Sequence, residues 1–75
     1  MEPYANLGGR SGIEAYETGF DSITVQFGDG TVYVYTNASA GASNVGQMKL
    51  LARRGHGLNA FINKSVKFSC DRKWK

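Results

Sequence analysis

The fold is decided by the stretch Asp21-Ser-Ile-Thr-Val-Gln-Phe-Gly-Asp-Gly-Thr-Val-Tyr-Val-Tyr-Thr36. In its first half, Ile23, Val25 and Phe27 alternate with polar residues, which is the pattern of a strand with one buried face. Gly28-Asp29-Gly30 interrupts the pattern, and the run that follows is β-branched or aromatic throughout. The stretch therefore predicts a β-hairpin.

The length of the hairpin loop leaves two registers open. With a two-residue Asp29-Gly30 turn, Tyr33 and Tyr35 lie on the face opposite to Val25. With a three-residue Gly28–Gly30 loop and a left-handed Gly30, Val25 faces Tyr33 and Ile23 faces Tyr35. Both tyrosines then join the core face, and Val32 and Val34 face outward. One residue of loop length thus moves every side chain of the third strand to the other face of the sheet.

The residues before the hairpin predict one further strand. Ser11–Thr18 is the candidate, with Ile13 and Ala15 on one side and Tyr16 on the other. Residues 19–21 make a connection short enough to force antiparallel pairing with the next strand. Residues 1–10 are expected to form a flexible N-terminus.

The residues after the hairpin predict two helices. Small polar residues fill a loop at 37–44, where Ser43 or Asn44 would cap the first helix. Gly55 ends this helix, and its apolar stripe consists of Val45, Met48, Leu51 and Ala52. A second helix is expected from Leu58 to about Lys64. For the residues after it, a short strand at 66–70 and a tail packed through Phe68 and Trp74 fit the pattern equally well.

Together these elements predict an α+β domain with the order β-β-β-α-α, in which a three-stranded antiparallel β-meander packs against two C-terminal helices. The domain would span residues 11–68, followed by a basic C-terminal tail at 69–75. The chain has one cysteine, Cys70, so it forms no internal disulfide. It has neither an apolar run long enough for a membrane nor a signal-peptide pattern, so we expect a cytoplasmic protein without a membrane partner.

Charge is unevenly distributed along the chain. The net charge is −4 over residues 1–40 and +7 over residues 41–75, which together give the overall +3. This asymmetry indicates an anionic partner for the C-terminal half. The alternative is a solvated cationic face that keeps a small protein in solution. In the same way, Arg53 and Arg54 could bind an anion or could instead stabilise the carbonyl end of their helix.

Several short segments of the chain form a pattern through their order and spacing. Those in the first half are Ile13, Gly19-Phe20-Asp21, Ile23-x-Val25-x-Phe27-x-x-Gly30 and Tyr33-Val34-Tyr35. Those in the second half are Leu51-Ala52, Gly55 and Leu58-Asn59-x-x-Ile62. In this order and spacing the segments resemble the KTSC domain, a small domain found at the C-terminus of some lysyl-tRNA synthetases and as free-standing proteins. The chain departs from the family pattern in its proline-free loop at 37–44 and in having Leu58 in place of a phenylalanine.

The resemblance carries expectations about structure and function. Since the middle residue of the family's Tyr-x-Tyr is usually polar, it favours buried tyrosines and the three-residue loop. The structural motif residues that it implies are Phe27, Gly30, Tyr33, Tyr35, Gly55, Asn59 and Ile62. The role suggested for the family is RNA binding. In this chain the residues expected to bind RNA or another polyanion are Lys49, Arg53, Arg54, Lys64, Lys67 and Trp74.

Two other functional classes are considered. A protein-interaction or accessory module would use exposed Val32 and Val34 and an edge strand at 11–18. An enzyme is not expected, because His56 and Cys70 are the lone histidine and cysteine and no third group is spaced to orient either. No metal or cofactor is expected. Among the remaining aromatic residues, Phe61 and Phe68 are predicted to be core residues and Trp74 to be exposed.

Overall fold

A computed structural model describes residues 1–9 and 11–75 of the chain. Within these residues the backbone forms a five-stranded antiparallel sheet whose strands lie side by side in chain order. The strands are β1 Glu2–Pro3, β2 Ile13–Thr18, β3 Ser22–Phe27, β4 Val32–Thr36 and β5 Arg72–Trp74. All helices lie between β4 and β5 in the sequence. The α+β class and the antiparallel sheet are confirmed, but three strands and two helices were too few.

The hairpin of β3 and β4 adopts the register of the three-residue loop. Val25 pairs with Tyr33 and Ile23 pairs with Tyr35. The Phe27 amide donates to the Thr31 carbonyl at 2.8 Å, and Gly30 has a φ of +93°, which favours glycine. Tyr35 is consequently buried and Tyr33 partly buried on the core face. The two-residue turn is thereby excluded.

The outer face of the sheet carries Val32 and Val34, as this register requires, but both are buried. In the sheet, Val32 lies between Gln26 of β3 and Trp74 of β5. β2 is not an edge strand, because β1 pairs with it on the side away from β3. The exposed valines and the free edge expected for a protein-interaction module are therefore not found.

Strand β2 contains a bulge that changes the predicted pattern of its side chains. Its register shifts between Ile13, which pairs with Phe27, and Ala15, which pairs with Gln26. One extra residue in a strand returns the next side chains to the opposite face. Ile13 and Tyr16 are therefore both buried in the core, and Ala15 lies on the outer face. The prediction that Ile13 and Ala15 share a side was wrong.

The helical segments are α1 Asn37–Ala40, α2 Ala42–Arg54 and α3 Leu58–Phe61, and α3 continues as a π-helix over Ile62–Val66. The predicted loop at 37–44 is partly helical because Thr36 and Ser39 cap α1 reciprocally. Neither Ser43 nor Asn44 is the cap of α2, which begins after Gly41. The side-chain Nδ2 of Asn44 instead donates to the Ala40 carbonyl at 2.8 Å.

The first helix of the prediction ends where expected. Gly55 is left-handed, with a φ of +74°, and its amide donates to the carbonyls of Leu51 and Ala52. The stripe at helical spacing faces the core, where Val45, Met48 and Ala52 are buried against the sheet. Within the described residues the longest helix is α2 with 13 residues, and none is long and apolar enough to cross a membrane.

Both ends of the chain are more structured than the sequence predicts. Residues 2–3 form β1, and Tyr4 is buried, with its hydroxyl accepting from the Leu58 amide at 3.3 Å. A loosely held terminus is thus wrong for these residues, while the predicted boundary at residue 10 lies outside the described residues. At the other end, the final strand is β5 and not residues 66–70. Phe68 is 90% exposed, so it neither packs a tail nor belongs to the core.

Candidate functional site

A concavity on the helix side of the sheet has a volume of about 690 Å³. The sheet contributes Phe27, Tyr33 and Tyr35 to its walls, and the α3 and π-helical segment contributes Asn59, Ile62 and Asn63. The hairpin register explains why Tyr33 and Tyr35 both line the cavity, because alternate residues of β4 point to the same face of the sheet. The cavity is therefore a consequence of the three-residue hairpin loop.

Aromatic rings form a continuous surface along this sheet wall. The rings of Phe27 and Tyr33 meet edge to face, with centroids 5.4 Å apart and planes at 76°. Tyr33 and Tyr35 are nearly parallel, with an angle of 13° and a centroid distance of 6.3 Å. Such a surface matches a flat ring or an apolar chain and supplies little to a small, hydrated ion.

Two lysines lie beside the cavity, and each is close to an aromatic ring. The ammonium of Lys73 is 5.8 Å from the centroid of the Tyr33 ring, and that of Lys67 is 5.5 Å from the centroid of Phe68. Both lysines line the cavity, and within the described residues neither is paired with a carboxylate. Cation–π contacts at exposed sites contribute only about 0.5–1 kcal/mol. The two ammonium groups therefore keep donors for an anionic ligand.

Two further groups of the cavity, Asp29 and Tyr35, have shifted pKa values. The Thr31 amide donates to the Asp29 carboxylate at 2.9 Å and lowers the pKa of that carboxyl, so a negative charge persists at the hairpin end of the cavity. Burial raises the pKa of Tyr35 to about 12, which keeps its hydroxyl neutral. The charges are thus one carboxylate at the loop and two ammonium groups toward β5 and the π-helix.

The structure brings together part of the predicted site. Lys67 lines the cavity, as do five of the motif residues implied by the KTSC resemblance: Phe27, Tyr33, Tyr35, Asn59 and Ile62. Gly30 lies in the hairpin loop and Gly55 caps α2, so both have backbone roles. Lys64 is exposed in the π-helix, one turn before Lys67.

The remaining predicted site residues lie elsewhere. The Lys49 ammonium donates to the carbonyls of Gly19 at 2.8 Å and Phe20 at 3.1 Å, in the β2–β3 turn. Phe27, which borders the cavity, is at the other end of β3, about 17 Å along the strand from Ser22. Arg53 and Arg54 are exposed in the last turn of α2. Trp74 is 52% exposed, as predicted, but it pairs with Val32 on the outer face of the sheet.

Sequence reasoning missed several residues of the cavity, among them Asp29, Asn63, Phe68 and Lys73. Lys73 reaches the cavity only because β5 pairs with β4 and places it opposite Tyr33. A three-residue strand has too few positions to show a period of two, so the sequence carries no signal for this pairing. Asn63 could have been predicted as a cavity residue, since it lies one helical turn after Asn59.

The histidine and the cysteine lie in different places. His56 is exposed and borders a second concavity of about 190 Å³ near Tyr4, whereas Cys70 is partly buried in the large cavity. Among residues 1–9 and 11–75, no three histidine, cysteine, aspartate or glutamate side chains converge as metal ligands. The imidazole and the thiol thus lie at separate concavities.

Comparison with known proteins found no significant match among protein-family models, curated proteins or solved structures. The similarity to the KTSC domain accordingly stays a prediction from the residues quoted above.

Proposed function

We propose that this chain is a small binding domain for single-stranded RNA, and that it binds the strand at the aromatic cavity. The observation that carries the proposal is the position of Lys67 and Lys73. Both line the cavity beside aromatic rings, and within the described residues neither has a carboxylate partner. Single-stranded RNA combines anionic phosphates with flat bases, so it matches both parts of this site.

The phosphates are assigned to the lysines of the π-helix and β5. Lys64 is in the π-helix, Lys67 directly follows that helix, and Lys73 is on β5. A protein that neutralises two or three phosphates releases the counterions condensed on them, so its affinity falls as salt rises. For a single strand this amounts to about tenfold between roughly 50 and 200 mM salt.

The cations of α2, which are Lys49, Arg53 and Arg54, are not assigned to RNA binding. Lys49 would have to give up its hydrogen bonds to two backbone carbonyls before it could bind a phosphate. Arg53 and Arg54 are in the last turn of α2, where cations interact favourably with the helix dipole. These residues have a structural role, and their charge adds only to the long-range attraction of the strand.

Two charge-matched variants test this assignment. Fluorescence anisotropy with a labelled single-stranded RNA measures the binding of the wild type, of Lys67→Glu with Lys73→Glu, and of Arg53→Glu with Arg54→Glu. Both double variants change the net charge equally, so they differ only in where the charge is reversed. We expect the first to lose binding and the second to keep affinity within a few fold of the wild type. Equal losses in both would contradict the assignment, and absence of wild-type binding at about 50 mM salt would contradict the function itself.

A further inference from the structure

The cavity is larger and more apolar than phosphate binding requires. Phosphate contacts need donors and positive charge, which surface lysines supply without any concavity. Here a volume of about 690 Å³ lies against the rings of Phe27, Tyr33 and Tyr35. Ligand cavities of roughly 300–1,000 Å³ with apolar walls and a few polar groups are typical of small organic ligands. The apolar wall therefore needs an explanation of its own.

We infer that the cavity receives one nucleobase, a flat heteroaromatic ring joined to a phosphate that Lys67 or Lys73 holds; this inference rests on the proposed function. The rings of Tyr33 and Tyr35 are stacked on each other, and Tyr35 is only 1% exposed, so Phe27 and Tyr33 supply the accessible aromatic surface of the sheet wall. Phe68 borders the same cavity and is 90% exposed, so its ring is accessible to a ligand there. A base that enters beside these rings removes apolar surface from water on both sides.

Polar groups at the cavity match the edges of a base. Asn59 and Asn63 are one helical turn apart, and both line the cavity. Their amides both donate and accept hydrogen bonds, as the edges of bases do. Asp29 accepts only, and its charge repels a phosphate from the hairpin end. The phosphate is thus directed toward Lys67 and Lys73, and the base toward the rings.

The experiment compares three probes on the full chain at low salt. They are an RNA octamer, an abasic ribose-phosphate octamer of the same charge, and adenosine monophosphate. Stacking of one base predicts that the RNA octamer binds about tenfold more tightly than the abasic octamer. The side-chain amide signals of Asn59 and Asn63 in NMR spectra should shift with the two base-bearing probes and not with the abasic one.

Two exposed phenylalanines provide the matched variants. Phe68→Ala removes a ring at the cavity, and Phe20→Ala removes an equally exposed ring at the distant β2–β3 turn. We expect Phe68→Ala to weaken the RNA octamer about fivefold or more and to leave the abasic octamer unchanged. Phe20→Ala should change neither. Both side chains are largely in water, so folding is retained.

The outcomes separate this inference from the proposed function. Equal affinity for the RNA and abasic octamers overturns the nucleobase site and leaves polyanion binding intact. Binding of adenosine monophosphate without either octamer upholds the base site and overturns strand binding. No binding of any probe overturns both.

Discussion

The protein carries cations at two ends of strand β3, and the structure holds the two sets in different ways. At one end, Lys49 donates to the carbonyls of Gly19 and Phe20. At the other, Lys67 and Lys73 lie near aromatic rings and line a cavity. Hydrogen bonds to carbonyls use the donors of an ammonium group, whereas a contact with the face of a ring leaves them accessible.

The difference teaches that the number of cations in a segment does not tell which of them are available to a ligand. The end of α2 has more cations in sequence than the cavity has, and it is the more obvious site from composition. Lys49, however, donates its hydrogen bonds to the β2–β3 turn. Arg53 and Arg54 lie in the last helical turn before the Gly55 cap. We therefore predict that perturbing the α2 end changes stability, and that perturbing the cavity lysines changes binding.

The largest expected effect is that of Gly55→Ala. Gly55 has a φ of +74°, and a Cβ atom there would lie 2.5 Å from the Cβ of Ala5. The clash displaces the N-terminal segment, whose Leu7 amide donates to the Gly55 carbonyl at 2.7 Å and whose Tyr4 is buried. Left-handed strain together with exposure of Tyr4 predicts a loss of about 4 kcal/mol in the free energy of unfolding, measured with urea.

Two control variants make this prediction specific. Gly46→Ala introduces the same side chain into the interior of α2, where no atom beyond the adjacent helix backbone lies within 4 Å, and should stabilise the protein by about 1 kcal/mol. Ala5→Gly in the Gly55→Ala background relieves the clash but not the strain, and should restore about half of the loss. If Gly55→Ala lies within about 1 kcal/mol of the wild type, the α2 end is not the rigid structural element described above.

The next effect concerns Tyr35, which forms part of the cavity wall. Burial raises its pKa to about 12, so the folded state keeps the phenol proton after the unfolded state, with a pKa near 10, has lost it. The free energy of unfolding is therefore unaffected by this group below about pH 10 and falls as the pH rises from 10 to 12. The fall attributable to Tyr35 is about 3 kcal/mol over the two pH units.

Urea unfolding of the wild type and of Tyr35→Phe between pH 9 and about 12 measures this contribution, because the lysines titrate alike in both proteins. In Tyr35→Phe the free energy of unfolding should fall less steeply with pH, because only the other ionisable groups contribute to the slope. Among these is Tyr16, whose hydroxyl donates to Glu2 at 2.8 Å, a hydrogen bond that raises the Tyr16 pKa. Equal slopes in the two proteins would show that water reaches the Tyr35 hydroxyl and that the cavity wall is open at this point.

The central strands were predictable from sequence because β3 alternates polar and apolar residues and β4 is β-branched or aromatic throughout. The register was not decided by the residues alone. Both loop lengths suit Gly28-Asp29-Gly30, and both Tyr35 and Val34 prefer to be buried. The choice depends on which face the helices cover, and that is a property of the whole chain.

The two edge strands and the cavity were beyond sequence reasoning for a related reason. β1 has two residues and β5 has three, so neither shows a period. Tyr4 packs near Leu58, 54 positions away, and Lys73 lies opposite Tyr33 through contacts that no local pattern encodes. Phe68 was expected in the core because phenylalanines usually are, and its exposure became informative only next to the cavity.

The smallest effect gives the most direct comparison of the two cationic regions. Lys49→Met keeps the length of the side chain and removes the hydrogen bonds to the carbonyls of Gly19 and Phe20. Charged hydrogen bonds at a partly exposed turn predict a loss of about 1 kcal/mol in the free energy of unfolding. Lys64→Met removes an exposed cation with no hydrogen bond to the described residues and should change stability by less than about 0.5 kcal/mol.

The affinity for RNA should follow the opposite order, with a larger decrease for Lys64→Met than for Lys49→Met. A decrease in affinity that is larger for Lys49→Met would return the RNA site to the end of α2, because it would show that the Lys49 ammonium exchanges its backbone carbonyls for phosphate.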